Sequence, residues 1–227
     1  MKSLLSVATL ALISIFASAN SHAAIIDFED QFVIGDGLLL EGQVVTGITL
    51  FGATFNVFGQ GNTGGNPRDL MLFDADCVGG CTGGDNDLFL QGAGNILIIS
   101  EDNDSNDPDD SQFGGTITVD FNPAVMDIMA LTVDVGDNNN QNNGDSFVKA
   151  FFNGNELSTF DFLAGQGNNN LQTADFSGLG SIDRLEIHLE SSGGIVNLEF
   201  TPVPIPAALP MFLAGLMSLF SLRKKRI

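Results

Sequence analysis

Three features of this 227-residue chain predict an all-β fold, two antiparallel sheets packed as a sandwich of the jelly-roll kind. Short segments with apolar residues at every second position recur between Gly- and Asn-rich punctuation. No amphipathic helix is legible between the two ends of the chain. The 27 glycines supply the turns that many short strands need. A hydrophobic helix is expected at each end, a signal helix at the start and a transmembrane helix at the finish.

The first element is Lys2, the apolar run 4–16 and small residues ending Ser21-His22-Ala23, the pattern of a secretory signal peptide. Cleavage is expected between Ala23 and Ala24, and no cysteine follows that site, so the chain is not a lipoprotein. Strands are then expected at 25–28, 44–51, 54–58, 95–100, 116–121, 128–135, 147–152, 157–162, 185–190 and 195–200. In 116–121, Ile117, Val119 and Phe121 share one face; in 185–190, Leu185, Ile187 and Leu189 do. Two Asp/Asn-rich stretches, 102–110 and 137–145, fall between strands and read as loops at the ends of the sandwich. No fixed-period repeat is present. The organisation is thus a signal peptide at 1–23, a β-sandwich domain at 24–201 and a C-terminal segment at 202–227.

That last segment begins Val203-Pro204-Ile205-Pro206-Ala207-Ala208 and continues as an apolar run to Leu222, followed by Arg223-Lys224-Lys225-Arg226. Residues 207–222 carry no charge and would make a helix of roughly 24 Å. A bilayer core is about 30 Å thick, so the run spans it with help from Ile205-Pro206 and snorkelling basic side chains. The four basic residues act as the stop and stay cytoplasmic. This tail resembles the PEP-CTERM sorting signals of Gram-negative bacteria, in the variant written Val-Pro-Leu-Pro-Ala, with Ile205 where the commonest form has Glu. The resemblance implies recognition and cutting by an exosortase, a membrane transpeptidase-like protease. An ordinary single-pass anchor that is never cut is the alternative.

All 28 acidic residues fall in 24–201, against three basic ones, Arg68, Lys149 and Arg184, for a formal charge of −25. Self-repulsion on that scale favours bound cations, and it excludes nucleic acid, whose phosphates need a basic face. Cys77 and Cys81, in Cys-Val-Gly-Gly-Cys, read as a disulfide in an exported chain. Its loop is too small to contribute the ~3 kcal/mol of a 15-residue loop. No second cysteine pair or nearby histidine completes a zinc site.

A second resemblance covers the order Gly84-Asp85-Asn86-Asp87-Leu88, Gly94-Asn95-Ile96-Leu97-Ile98-Ile99-Ser100-Glu101-Asp102, Pro108-Asp109-Asp110 and Gly114-Gly115-Thr116-Ile117-Thr118-Val119-Asp120-Phe121, with Ser192–Phe200 as a last strand. It is similar to a group of exported PEP-CTERM proteins with a domain of the carbohydrate-binding-module-like jelly-roll type, and this implies the fold. Such jelly rolls often hold a structural calcium through a Glu after the first-strand Phe and a last-strand Asp. Phe28-Glu29 fits the first element, whereas Val196 beside Asn197 replaces the second.

Calcium takes about six to eight oxygen ligands from carboxylates, amide side chains and carbonyls. Asp102, Asp104 and Asn106 match the first three positions of an EF-hand loop, but Asp107 stands where its glycine belongs and Phe113 at its twelfth position. A non-helical calcium loop completed by Asp109 or Asp110 is the reading that remains. Two further clusters are Asp74 and Asp76 with Asp85 and Asp87, joined by the cysteine turn, and Asp134 and Asp137 with Asp145. Against each stands the plain turn-forming role of Asp, Asn and Gly.

With no Trp and no Tyr, the chain lacks the usual stacking platforms for sugars. Its 19 Phe mostly occupy alternating strand positions, with Phe58, Phe113 and Phe162 near turns. After signal removal the one histidine is His188, at an outward strand position, and no Gly-x-Ser-x-Gly elbow is present. The expectation is therefore an exported, non-enzymatic protein of the cell surface or extracellular matrix, structural or adhesive in biofilm or exopolysaccharide. A calcium-dependent glycan-binding module is the alternative, and a carboxylate-based glycoside hydrolase a remote one. Exposed Phe on one sheet face would favour glycan binding, a close carboxylate pair in a deep cleft the enzyme, and a flat acidic surface the structural role.

Overall fold

In this computed structural model the described residues are 23–28, 33–34, 37–38, 40–60, 68–135, 146–163 and 169–202, all within one unit, Ala23–Pro202. The signal segment before Ala23, Glu29, Asp137, Asp145 and the whole tail from Val203 to Ile227 lie outside them. Thirteen strands follow in order: β1 (Ala24–Ile26), β2 (Val33–Ile34), β3 (Gly37–Leu38), β4 (Thr49–Leu50), β5 (Ala53–Gln60), β6 (Leu70–Asp74), β7 (Asn95–Ile99), β8 (Gly115–Val135), β9 (Phe147–Phe152), β10 (Asn155–Asp161), β11 (Leu171–Ala174), β12 (Ile182–Leu189) and β13 (Gly193–Pro202). The fold is all-β, and its helical pieces among the described residues are two 3-10 turns, Thr82–Gly84 and Asn86–Leu88. None of these residues forms a helix long and apolar enough to cross a membrane.

Eleven strands form one large antiparallel sheet, with seven along the path β10-β9-β12-β8-β13-β7-β6 and the others off it, β1 on β13, β11 and β5 on β8, and β4 on β5, while β2 and β3 make a separate hairpin. The 21-residue β8 organises everything else. Its first part lies between β5 and β12, where Val119 faces both Phe55 and Leu185 in register. Its second part lies between β11 and β13, where Thr132 faces Thr173 and Asn197. The expected strands 116–121 and 128–135 are thus one continuous strand that serves two groups of neighbours.

Alternation along β8 turns Ile117, Val119, Leu131 and Val133 to a single core shared by both groups. Phe28 and Phe55 meet edge-on there at 5.6 Å, and Phe121 lies 5.3 Å from Phe200. Each fully buried aromatic or aliphatic side chain contributes on the order of 2 kcal/mol over an exposed one. The expected strand 44–51 is interrupted. Val44 bridges Met71, Thr46-Gly47 forms a turn with Gly47 at φ 74°, and Thr49–Leu50 pairs with β5 through a hairpin whose loop Phe51-Gly52 has both φ values positive. That is the backbone a two-residue primed turn requires. Asn153-Gly154 does the same between β9 and β10.

Strands β6 and β7 are buried on both faces. One face joins the main core. The other, with Met71, Phe73, Ile96 and Ile98, is covered by the segment between the two strands through Ala75, Leu88 and Leu90, with Cys77 and Cys81 packed against them. The two cysteines stand at disulfide distance, Cα to Cα 5.0 Å.

Candidate functional site

The β6–β7 connection and the β7–β8 connection meet on one side of the β6–β7 pair, and the acidic residues concentrate where they touch. The second connection is closed at its base. Ser100 bridges Asp110, Glu101 N–H donates to the Asp109 carbonyl at 3.1 Å, and Ser111 N–H donates to the Ile99 carbonyl at 2.8 Å. Within the loop, Asp102 accepts from Asp104 N–H at 2.8 Å and Asp104 from Asn106 N–H at 2.9 Å. Three of the candidate ligands, Asp102, Asp104 and Asn106, therefore shape consecutive turns, and the Asn106 donors hold the exposed Asp104 carboxyl below its ordinary range.

Asp109 lies against the other connection at Gly83, and Asp110 offers it its backbone N–H while its own side chain turns to Gly193. Asp85 Oδ2 accepts from Asp110 N–H at 2.7 Å, and Asp107 Oδ1 accepts from Gly83 N–H at 2.8 Å. Thr82 Oγ1 donates to Glu41 Oε1 at 2.7 Å and lies 3.1 Å from the Pro108 carbonyl. Two glycines make the approach feasible. A Cβ on Gly83 would stand 2.3 Å from the Asp109 Cβ, and one on Gly42 would stand 2.0 Å from the Ser105 carbonyl oxygen.

The carboxylates crowded there resist ionisation. Burial pushes Asp109 up to about 6, and the charges of Asp102, Asp85, Glu101 and Asp107 act in the same direction. Burial also raises Asp85, against the Asp110 N–H that favours its charged form, with Asp87, Glu101 and Asp107 adding to the rise. Asp110 is 5 % exposed. Its burial lifts it well above the ordinary carboxyl range, although Gly193 N–H donates to its Oδ2. Among the described residues Asp109 Oδ1 is buried without a hydrogen-bond partner. The described ion pairs lie elsewhere, at Lys149–Glu156, Arg184–Asp120 and His188–Glu190.

Asp74 and Asp76 take a different part. Asp74 Oδ1 accepts from Asp76 N–H and Asp76 Oδ1 from Gly92 N–H, both at 3.0 Å, so they hold the cysteine turn to the end of its segment. Asp87 lies on the second 3-10 turn, beside Asp85. Asp134 is buried near the end of β8. Phe28 is buried with φ 54°, Val196 packs on the second cluster, and Asn197 faces Thr132 across β13 and β8. Ala24 is the first residue of β1 and pairs with Phe200, and Ala23 precedes it, exposed.

Among the described residues no group of three His, Cys, Asp or Glu side chains converges closely enough to hold a metal ion. The donor set of the crowded region is nevertheless all oxygen, as a hard cation requires. Glu41, Gly83, Glu101 and Asp107 take part there and were not singled out from sequence. The signal for two of them was present, since Glu101 and Asp107 belong to the same acidic run. Of the turn phenylalanines, Phe113 is 45 % exposed and Phe162 is buried, while the Phe58 side chain lies outside the described part of the chain. His188 stacks on Phe147 at 5.0 Å and contacts Thr116 Oγ1 through Nδ1 at 3.0 Å.

The chain matches no protein-family model and no curated protein.

Proposed function

We propose that this is an exported, non-enzymatic protein of the cell surface or extracellular matrix of a Gram-negative bacterium, with acidic loops ordered by calcium. In this reading the signal peptide is removed at Ala23/Ala24. The tail beginning Val203-Pro204-Ile205-Pro206 is handed to an exosortase-type enzyme while its apolar run sits in the membrane and Arg223 to Arg226 stop it. The role is structural or adhesive, within biofilm or exopolysaccharide. The domain is read as a two-sheet sandwich of jelly-roll type. Support for that comes from β8, which is shared by two groups of strands while feeding one core.

The observation that carries the calcium reading is the crowding of Asp85, Asp109 and Asp110. Carboxylates held together against their own repulsion, without a basic side chain, gain most from a divalent cation. Asp109, with its buried and unpartnered Oδ1, and Asp85 are the residues that would hold the ion, with Asp107 and Glu101 as neighbours. Bound calcium would supply charge neutralisation and cross-link the two connections.

The test is thermal unfolding of the full-length chain in detergent, with calcium titrated against a chelator and against sodium chloride of equal ionic strength. A ligand at 100 times its dissociation constant adds about 2.7 kcal/mol to a native state that alone binds it. In a domain of this size that is a rise of roughly 5–11 °C. A saturable rise specific to calcium is expected, and equal curves in the two salts would refute the reading.

A further inference from the structure

We propose that the Cys77–Cys81 disulfide is a redox control on the acidic contact. Closed, it holds the Thr82–Asp85 stretch in place for calcium; opened by a thiol, it releases that stretch. The inference rests on the calcium reading and adds the regulation of that site.

The β6–β7 connection is anchored unevenly on the two sides of the bridge. On the Cys77 side, Ala75 N–H donates to the Gly94 carbonyl at 2.9 Å and Leu90 N–H to the Ala75 carbonyl at 2.8 Å. Gly92 N–H donates to Asp76 Oδ1 at 3.0 Å, so this side is fixed to the far end of its own segment. On the Cys81 side the chain enters the 3-10 turn Thr82–Gly84 at once, and no side-chain hydrogen bond caps the start of that turn. The groups that follow make the contact. Thr82 Oγ1 meets Glu41 and the Pro108 carbonyl, Gly83 N–H donates to Asp107, and Asp85 accepts from Asp110 N–H. The next buried side chain is Leu88, in the second cluster. Within its own connection the contact stretch is thus held from two ends, by the disulfide before it and by Leu88 after it.

Val78, Gly79 and Gly80, between the cysteines, are all exposed. Gly79 and Gly80 have φ 108° and 133°, backbone that glycine alone adopts freely, and glycine regains the most conformational entropy when released. Without the sulfur–sulfur bond this is the slack link of the connection, and the contact stretch keeps one anchor of two.

The bond is open to exchange in the folded chain. Both cysteines are part-exposed beside a loop tip where Val78 is 82 % exposed, so a thiol reaches them. A thiolate attacks one cysteine sulfur, the other leaves as a thiolate, and a mixed disulfide forms. A second external thiol then displaces the first. Two external thiols end as one disulfide, and Cys77 and Cys81 each end as a thiol. The coupling is reciprocal: the factor by which opening weakens calcium is the factor by which calcium opposes opening.

The experiment is calorimetric titration of the full-length chain in detergent with calcium chloride, before and after reduction with dithiothreitol. The reduced chain should bind about tenfold more weakly, inside the roughly 5–150-fold span typical of coupled sites. Without calcium, reduction should quicken hydrogen exchange at Gly83 and Asp110 and leave Val119, in the main core, unchanged. The double replacement Cys77→Ser with Cys81→Ser should match the reduced parent and ignore the reductant. Melting curves check its fold, and the reduced parent carries the test if it unfolds. In glutathione buffers a chelator should shift the bridge toward reduction by the same factor, read by alkylation and mass spectrometry. The proposal is overturned if the bridge survives excess dithiol in the folded chain, or if exchange at Gly83 and Asp110 ignores reduction. Equal calcium binding by both forms overturns the control alone, whereas no binding by either form refutes the calcium reading and the control together.

Discussion

Asp85 accepts a hydrogen bond from the backbone N–H of Asp110 at 2.7 Å, and this contact ties the β6–β7 connection to the β7–β8 connection across 25 residues of sequence. It sets the half-buried Asp85 carboxyl beside the buried Asp110, which turns its own side chain inward to Gly193 N–H. Asp85→Ala removes the acceptor and leaves a part-buried N–H unpaired, at a cost of about 1–3 kcal/mol. Asp85→Asn keeps an acceptor and removes one like charge. It should melt within about 1 kcal/mol of the parent without calcium and yet lose most of the calcium-dependent rise in Tm. Melting curves of both variants with calcium and with chelator check this pair of outcomes.

The same crowding fixes the sign of the pH dependence. Asp109 is raised from 3.8 to about 6 in the folded chain, and Asp85 and Asp110 are raised as well. A carboxyl with a raised folded pKa binds its proton more tightly when folded, so it stabilises the fold fully below its unfolded pKa. That contribution is lost as pH rises from about 4 through about 6 for Asp109, and the raised Asp85 and Asp110 act with the same sign. Solvent screening of the part-exposed Asp109 reduces its share to on the order of 1 kcal/mol. Without calcium, Tm should therefore fall by a few degrees between pH 4 and pH 7. Saturating calcium should flatten or reverse that slope, because the ion competes with the proton for the same oxygens. Parallel curves with and without calcium would contradict this.

Gly83→Ala tests the close approach directly. The new Cβ would sit 2.3 Å from the Asp109 Cβ, and the backbone there has φ 63°. Either the loop moves off the 3-10 turn or the turn strains, at a cost of roughly 1–3 kcal/mol. Hydrogen exchange should quicken at Gly83 and Asp110, whose N–H groups donate across the contact, and calcium should protect them less than in the parent.

The sequence shows much of this fold, and for a physical reason. Residues 116–121, 147–152 and 185–190 alternate because one face meets the core and the other meets solvent, so their strands and inward residues are legible directly. Leu70-Met71-Leu72-Phe73 escapes the same reading. Buried on both faces, it gives an unbroken apolar run with no period to detect. The four-residue β11 is short and mostly exposed, and leaves little trace. Acidic loops announce themselves by composition, but which carboxylates meet does not. Asp85 finds Asp110, while Asp74 and Asp76 fold back on their own turn, because the connection carrying them is laid over Met71 and Phe73 by tertiary packing.

Two separate clusters of buried side chains predict a pattern of coupling. Phe55 belongs to the main core, and Phe73, on β6, to the second cluster, where Cys77 and Cys81 also pack. Phe55→Ala and Phe73→Ala should each destabilise by about 3–5 kcal/mol, since both rings are fully buried. The double replacement Cys77→Ser with Cys81→Ser should cost less than ~3 kcal/mol, because the loop it closes is short. Phe55→Ala combined with that replacement shares no partners with it, so the two effects should add within about 0.5 kcal/mol. Phe73→Ala combined with it should depart from additivity by more than that, because both changes loosen the same cover over β6 and β7. Denaturant midpoints of the single and combined variants measure the difference. Equal additivity in both pairs would mean that the cysteine turn rests on the second cluster without supporting it.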